Sequence, residues 1–399
     1  MSSCHGLAGR RLVACTFAAV ILASWQAYGA RPFLVEIPVY HEKDGGYFIH
    51  RIPALLTTDK GTLLAFCEAR IDSVSDSAPT DVVLRRSLDD GKTWTPAQVV
   101  AHFPSATVGN PAPVQDRKTG VIWLLLTSNP AGVAEQEISN GFSKGTRTVW
   151  ITYSSDEGAT WSPAEEITSS TKEPNWTWYA TGPGNGIQLE DGRLVIPCDY
   201  KVAGTQAFYA HVIYSDDDGR TWKIGGSAGP QTNESAVVQL ADGSLLLNMR
   251  SYAGQHLRAI SYSHDAGITW SPVELDPALI EPVCQASFIR YTLARKGGKN
   301  RLLFANPADT ARDRMTVRLS YDEGKTWPVA RLVDEDFSEY SSLAVLRDGT
   351  IGLLYTKGPG KPTPQNGWYP PVNPEISFAH FNLEWLTRGA DHLGGKTKP

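Results

Sequence analysis

Cysteine is scarce in this chain, and the few present form no framework. Of 399 residues five are cysteine, and only Cys67, Cys198 and Cys284 follow residue 30. Three cannot pair completely, each lies in an apolar run, and none has metal-ligand spacing, so buried free thiols are expected. Long helical periodicity is also lacking, which leaves strands as the main element. Runs of like charge are absent, which excludes a charged binding tail. There is no basic excess: 37 Lys and Arg face 42 Asp and Glu, for a formal charge of −5. That balance argues against a nucleic-acid partner. The histidines His41, His211, His256, His264 and His380 show no ligand spacing. No metal, cofactor or membrane span is expected.

The first 30 residues differ from the rest. Arg10 and Arg11 precede a short apolar run, LVACTFAAVILASW at residues 12–25. Ala27 and Gly29 stand at −3 and −1 of a cleavage site. This is the pattern of a signal peptide over 1–29, too short to span a bilayer comfortably. It predicts a secreted, periplasmic or cell-surface protein made of one domain, 30–399.

What the chain does have is repetition. The pattern S-x-D-x-G-x-T-W occurs five times: SLDDGKTW from 87, SSDEGATW from 154, SDDDGRTW from 215, SHDAGITW from 263 and SYDEGKTW from 320. A catalytic site is needed once, so a feature used five times reads as structural. Its Ser and Asp suit a tight turn, its Gly permits the bend and its Trp packs on a sheet; calcium binding is the residual alternative. A second repeat occurs six times. It is a strand, a turn usually built on Asp-Gly, and another strand, as in RIPALLTTDKGTLLAFCEAR from 51 and YSSLAVLRDGTIGLLYTK from 340. A further strand runs from each of the first five hairpins into a box. About four strands per unit in six units predict an all-β, six-bladed β-propeller with four-stranded antiparallel blades. The C-terminal ISFAHFNLEWL is expected to supply the strand that completes the ring.

Aligning the hairpins on Gly61, Gly120, Gly192, Gly243, Gly297 and Gly349 exposes a second regularity. The residue nine or ten places earlier is Arg51, Asn110, Gly182 or Pro183, Glu234, Gln285 in the longer fifth turn, and Tyr340. Equivalent positions in a propeller lie on one ring, and polar residues gathered on a ring near the axis suggest a pocket. Arg70, Tyr200 and Arg250 end second strands, and Arg312 follows the fifth hairpin. Several arginines facing one funnel suggest an anionic ligand, since guanidinium pairs bidentately with carboxylate. The loop IDSVSDSAPT, with Asp72, Asp76 and Asp81, would bring an acid to the same rim.

These residues resemble the Asp-box sialidases of bacteria and animals, over the whole span from HRIPALL to FNLEWL. The R-I-P element, the five boxes and the sixteen-residue step from Glu234 to Arg250 carry the likeness. The resemblance implies that Arg51, Arg250 and Arg312 grip a substrate carboxylate, with Arg314 the rival to Arg312. It implies Asp76 as acid/base, Tyr340 as nucleophile and Glu234 as its partner. It further implies pocket positions at Arg70, Asn110 and Gln285, and Tyr200 joins them from the strand pattern. His50 stands where Phe or Tyr is usual. The implied function is a secreted exo-α-sialidase that removes terminal sialic acid from glycans, glycoproteins or glycolipids with retention. A neutral tyrosine nucleophile is the exception to the two-carboxylate glycosidase scheme. It avoids repulsion from the carboxylate on the anomeric carbon. Rivals are a trans-sialidase, including an intramolecular one, on the same site, and a non-catalytic sialic-acid-binding propeller. The Asn175-Trp176-Thr177 and Asn233-Glu234-Ser235 sequons read as accidental.

Overall fold

The computed structural model describes residues 1, 30–205, 207–294, 298–361 and 374–393. The expected leader at 2–29 and the turn glycine Gly297 lie outside these. Strands dominate, and among the described residues they pair antiparallel into six units of four, the third having its first strand broken into Trp176–Thr181 and Ile187–Gln188. Blades 1 and 2 touch through one parallel bridge, Thr80 to Thr107. Blades 5 and 6 share the strand Val329–Val345, whose first part pairs with Asp313–Ser320 and whose second part pairs with Ile351–Lys357. The inner strands of successive blades lie side by side and return on themselves, Leu194–Val202 of blade 3 meeting Thr232–Gln239 of blade 4 and Val329–Val345 meeting Ile49–Thr57. The result is a closed ring.

The apolar packing independently defines the ring. Six large buried clusters occur, and each joins two adjacent blades rather than filling one. Leu64 and Phe66 of blade 1 meet Leu124 and Leu126 of blade 2; Leu55 and Leu63 meet Leu354 and Phe378 of blade 6. Strands caught between neighbours on both faces have no polar side. Leu63–Arg70 accordingly is buried at every position.

The boxes explain how blades register against each other. In all five, the Ser hydroxyl donates to the Asp carboxylate at 2.8 Å. The same Ser oxygen accepts from the Gly N–H at 2.8–2.9 Å. The Thr hydroxyl donates to the second carboxylate oxygen at 2.6–2.7 Å. The residue before Gly and the Gly itself both take positive φ, as at Asp218 (61°) and Gly219 (91°). The glycine also touches the preceding blade: a Cβ on Gly91 would sit 2.1 Å from Phe378, and one on Gly219 2.1 Å from Trp123. Blade 6 has no box. Its seam with blade 5 is packed instead by Leu383 and Leu386 of a short helix.

Ring closure differs from the expectation. Glu375–Phe381 is the third strand of blade 6, and the N-terminal strand Leu34–His41 pairs with it as the fourth. The chain's two ends therefore lock one blade. Its alternation was not recognised because VEIPVYH belongs to no repeat. The three cysteines are free and buried, as expected. No helix of the described residues is long and apolar enough to cross a membrane.

Candidate active site

One irregularity recurs where the first strands carry the predicted ring residues. Between Arg51 and Ala54 the strand holds one more residue than its partner. The same happens between Gly109 and Ala112, between Thr232 and Ser235, and between Glu339 and Ser341. A bulge bends its strand and re-aims a side chain. These four re-aim Arg51, Asn110, Glu234 and Tyr340 toward one cavity of ≈ 240 Å³. The predicted residues thus sit within bulged strands, not at strand starts. At two of the bulges the backbone is left-handed, at Asn110 (54°) and Ile52 (58°). For Ile52, a β-branched residue, that conformation is strained. Its side chain packs with Cys284 and Tyr340, and Ile52 itself lines the cavity.

The central pair is Tyr340 and Glu234. The Tyr340 hydroxyl donates to Glu234 Oε1 at 2.6 Å, and Arg250 Nη1 donates to Glu234 Oε2 at 2.8 Å. Burial, then the adjacent Glu234 charge, push the Tyr340 phenol well above its ordinary value, so it is neutral. The Arg312 guanidinium lies 5.7 Å from the Tyr340 ring centroid.

The arginines are held by carboxylates behind the cavity wall. Glu339 is fully buried and accepts from Arg51 Nε at 2.8 Å, Arg51 Nη2 at 2.9 Å and Arg312 Nη1 at 2.5 Å. Burial opposes its charge, but the two arginines prevail and hold its carboxyl below the usual range. Glu68 accepts from Arg70 Nη2 at 3.0 Å and from the Asn110 N–H at 3.0 Å. Asp76 comes in from its loop and meets Arg70 at 2.6 Å and Arg51 at 3.3 Å. Its side chain is 67% exposed, and although the surrounding cavity walls work to raise its pKa by desolvation, Arg70 and Arg51 outweigh that and hold Asp76 down at about 2.

Of the predicted residues, Arg51, Arg70, Asp76, Asn110, Glu234, Arg250, Arg312 and Tyr340 line the cavity together. Tyr200 and Gln285 do not. Tyr200 is stacked on Trp176 at 3.6 Å in the blade 2–3 core, its hydroxyl on Ser227. Its strand position faces the neighbouring blade rather than the axis. Gln285 is buried and spends its amide on the backbone of Pro183 and Ser341, tying blades 3, 5 and 6 beneath the cavity. The rivals fall elsewhere. Asp72 is exposed, Asp81 is bound to Tyr47 and His102 at 2.7 Å each, and Arg314 is 43% exposed. His50 packs behind Arg51, stacked on Tyr40. Asn233 is 5% exposed and bonded to Asp199, whereas Asn175 is exposed.

Sequence reasoning missed Glu339 and Glu68 as counterions. Their signal was adjacency, one beside Tyr340 and one two places before Arg70. It also missed Glu135, Arg147, Trp178, Asp199 and Tyr252, which line the cavity from blades 2, 3 and 4; of these Asp199 did carry a signal, standing seven places after Gly192 as Arg250 stands after Gly243.

Fold and site together define a six-bladed propeller with an arginine-lined, tyrosine-centred pocket. A BNR repeat-like domain matches residues 61–353. A sialidase of Micromonospora viridifaciens is 35% identical over 370 residues, 88% of this chain and 55% of that one. An exo-alpha-sialidase of Aspergillus fumigatus is 30% identical over 92% of this chain and 94% of its own length. A solved Hadza microbial sialidase superposes with a TM-score of 0.78 at 31% identity, covering 88% of this chain and 69% of that one. The chain belongs to the BNR-repeat sialidase family. It spans little more than half the length of the Micromonospora relative.

Proposed function

We propose that this protein is an exported exo-α-sialidase that hydrolyses terminal sialic acids from glycoconjugates through a tyrosyl-linked intermediate, with retention. The observation that carries the reading is the 2.6 Å contact between the Tyr340 hydroxyl and Glu234 inside an arginine-lined cavity. Arg51, Arg250 and Arg312 bind the substrate carboxylate. The phenol oxygen of Tyr340 attacks the anomeric carbon while Glu234 takes its proton. The bond to the leaving oxygen breaks as Asp76 protonates that oxygen. Water then attacks the same carbon, Asp76 takes its proton, the tyrosyl bond breaks and Glu234 returns its proton to Tyr340.

Asp76 is ionised in the unliganded site, so its role as acid needs a proton gained on binding. The substrate supplies the cause. Its carboxylate draws on the positive charge of Arg51 and Arg312, two of the three arginines that hold the Asp76 pKa low. That moves Asp76 toward protonation in the complex. Export rests on the sequence of residues 10–29 alone.

The test is release of a fluorophore from an α-sialoside by residues 30–399, with Tyr340→Phe as comparison. Phe keeps the packing against Ile52 and Cys284 and loses only the hydroxyl. The expected outcome is a fall in turnover of at least about 10²-fold, the lower range of acid–base and nucleophile effects, with ligand binding retained. Full activity of Tyr340→Phe would sink the nucleophile assignment. Proton NMR of the first-formed product separates retained free sugar from an anhydro or transferred product.

A further inference from the structure

The closing blade holds an acid without a cation. Glu384 stands in the short helix Leu383–Leu386 that packs the seam of blades 5 and 6, is 8% exposed and forms no ion pair among the described residues. Its carboxylate has one hydrogen-bond partner among them, the Ala30 N–H, 3.1 Å from Oε1. The segment that brings Ala30 there is pinned to the same helix. Asn382 caps the helix by accepting from the Trp385 N–H at 3.0 Å; it also accepts from the Phe33 N–H at 3.2 Å and donates to the Arg31 carbonyl at 2.9 Å. Leu34 then opens the strand Leu34–His41, the fourth of blade 6, and packs on the cluster that holds Leu383.

A buried carboxylate facing one neutral N–H is poorly compensated, because a buried charge needs a paired and hydrogen-bonded partner. The sequence supplies a cation at that very atom. Leader cleavage requires small residues at −3 and −1. Beyond Trp25, Gly29 at −1 places Ala27 at −3, whereas Ala27 at −1 places Trp25 there and Ala30 at −1 places Tyr28 there. The bond selected is Gly29–Ala30. Its hydrolysis consumes one water: the C–N bond breaks, Gly29 leaves as a carboxylate, and the Ala30 nitrogen takes up both protons to become an α-ammonium. With a pKa of about 7.7–8.0, such an amine is mostly charged at neutral pH.

We propose that Gly29–Ala30 is the processing bond and that Glu384 receives the α-ammonium it frees, so that leader removal locks the N-terminal strand onto the closing blade. The proposal rests on the exported reading of residues 1–29. In the precursor Glu384 meets a neutral amide. In the processed chain the same contact is an ion pair, whose charge-assisted hydrogen bonds are about twice as strong as neutral ones. The blade fastened this way carries Tyr340 on its inner strand, Val329–Val345. Processing therefore tightens the part of the ring that presents the central tyrosine.

The test has two parts. The full chain is expressed in a bacterial host, and the first residue of the exported protein is read by N-terminal sequencing; Ala30 is expected. Chains beginning at Ala30 and at Tyr28, each freed from a cleavable fusion, are then compared by hydrogen exchange of the Leu34–His41 amides. The two added residues restore a neutral amide at Ala30 and move the ammonium by about 7 Å. The chain beginning at Ala30 should exchange about five- to tenfold more slowly, the margin between charged and neutral hydrogen bonds. Glu384→Gln keeps the shape and the acceptor and loses the charge, and there the two chains should agree within about twofold. Equal exchange of the two wild-type chains overturns the ion pair, as does a difference that survives in Glu384→Gln. If Glu384→Gln does not fold, the wild-type comparison decides. Processing at another bond overturns the assignment of Gly29–Ala30. A chain that is neither cut nor exported overturns the exported reading, and the proposal with it, whatever the two purified chains show by exchange.

Discussion

His211 offers a quantitative test of the blade 2–3 core. It pairs across its hairpin with Cys198, next to Asp199. Its ring is fully buried, edge-on to Trp176 at 5.0 Å, Tyr179 at 5.3 Å and Tyr200 at 5.2 Å, and neither ring nitrogen has a partner among the described residues. Burial lowers its pKa to about 3. The unfolded chain binds that proton near pH 6.5, so between 6.5 and 3 the unfolded state holds more protons. The contribution is therefore complete above pH 6.5 and is lost as pH falls toward 3. Between pH 7 and pH 4 the loss is about 3 kcal/mol. His211→Leu removes the titration. It forfeits aromatic contacts of about 0.5–1.5 kcal/mol each but also removes two stranded nitrogens of similar cost, so stability at pH 7 changes little. Urea unfolding at pH 7 and pH 4 gives the drop for each protein. The variant's drop should be about 3 kcal/mol smaller, other titrating groups cancelling in the comparison. Equal drops would refute the account, because they require a His211 that is protonated equally in both states.

Two further substitutions separate architecture from site. A Cβ at Gly109 would stand 2.1 Å from Glu68 Oε1. Gly109→Ala should therefore push Glu68 off Arg70 and the Asn110 N–H, destabilise by about 1–3 kcal/mol as an overpacked site does, and weaken sialoside binding; unchanged KM would show that Glu68 does not position Arg70. Asp217→Ala deletes the carboxylate that holds Ser215 and Thr221 in the third box. It should lower stability by about 1–2 kcal/mol while kcat of the folded protein stays unchanged, as thermal unfolding and the fluorogenic assay will report.

The parts of this molecule that were legible in the sequence are those that local chemistry repeats. A box needs Ser, Asp, Gly and Trp at fixed offsets because its turn closes on its own side chains, so five copies announced themselves. Hairpin turns needing positive φ at Gly61 or Gly243 did the same. The ring residues were legible by phase. The phase does not reveal which way a side chain points, so it admitted Gln285, which ties blades together, alongside Asn110, which faces the cavity. Tyr200 was admitted as a polar strand end, although its ring is wanted for stacking on Trp176. The bulges were invisible because an extra residue shows only against a partner strand. Arg147 comes from an irregular loop where no repeat fixes a position, whereas Asp199 stands on a second strand seven places after Gly192, as Arg250 stands after Gly243, and was passed over for its neighbour Tyr200.

The bulges also explain how the fold tolerates its site. A regular first strand would turn alternate side chains toward neighbouring blades, where the inter-blade clusters are apolar. Five arginines line this cavity, and burying them unpaired would cost several kcal/mol apiece. The added residue at each bulge turns Arg51, Glu234 and Tyr340 out of the apolar seams, and it sets Glu339 beside Tyr340 behind the wall. Glu339 thereby neutralises two arginines from the protein side, while Glu234 does so for Arg250. These carboxylates are at most 10% exposed. Asp76 is the exception at 67% exposed, carried on a loop rather than a strand. It is thus the one acid among the arginines' partners that an incoming carboxylate can displace without breaking a strand. The counterion that must yield to substrate is the same group that the proposed reaction requires to pick up a proton.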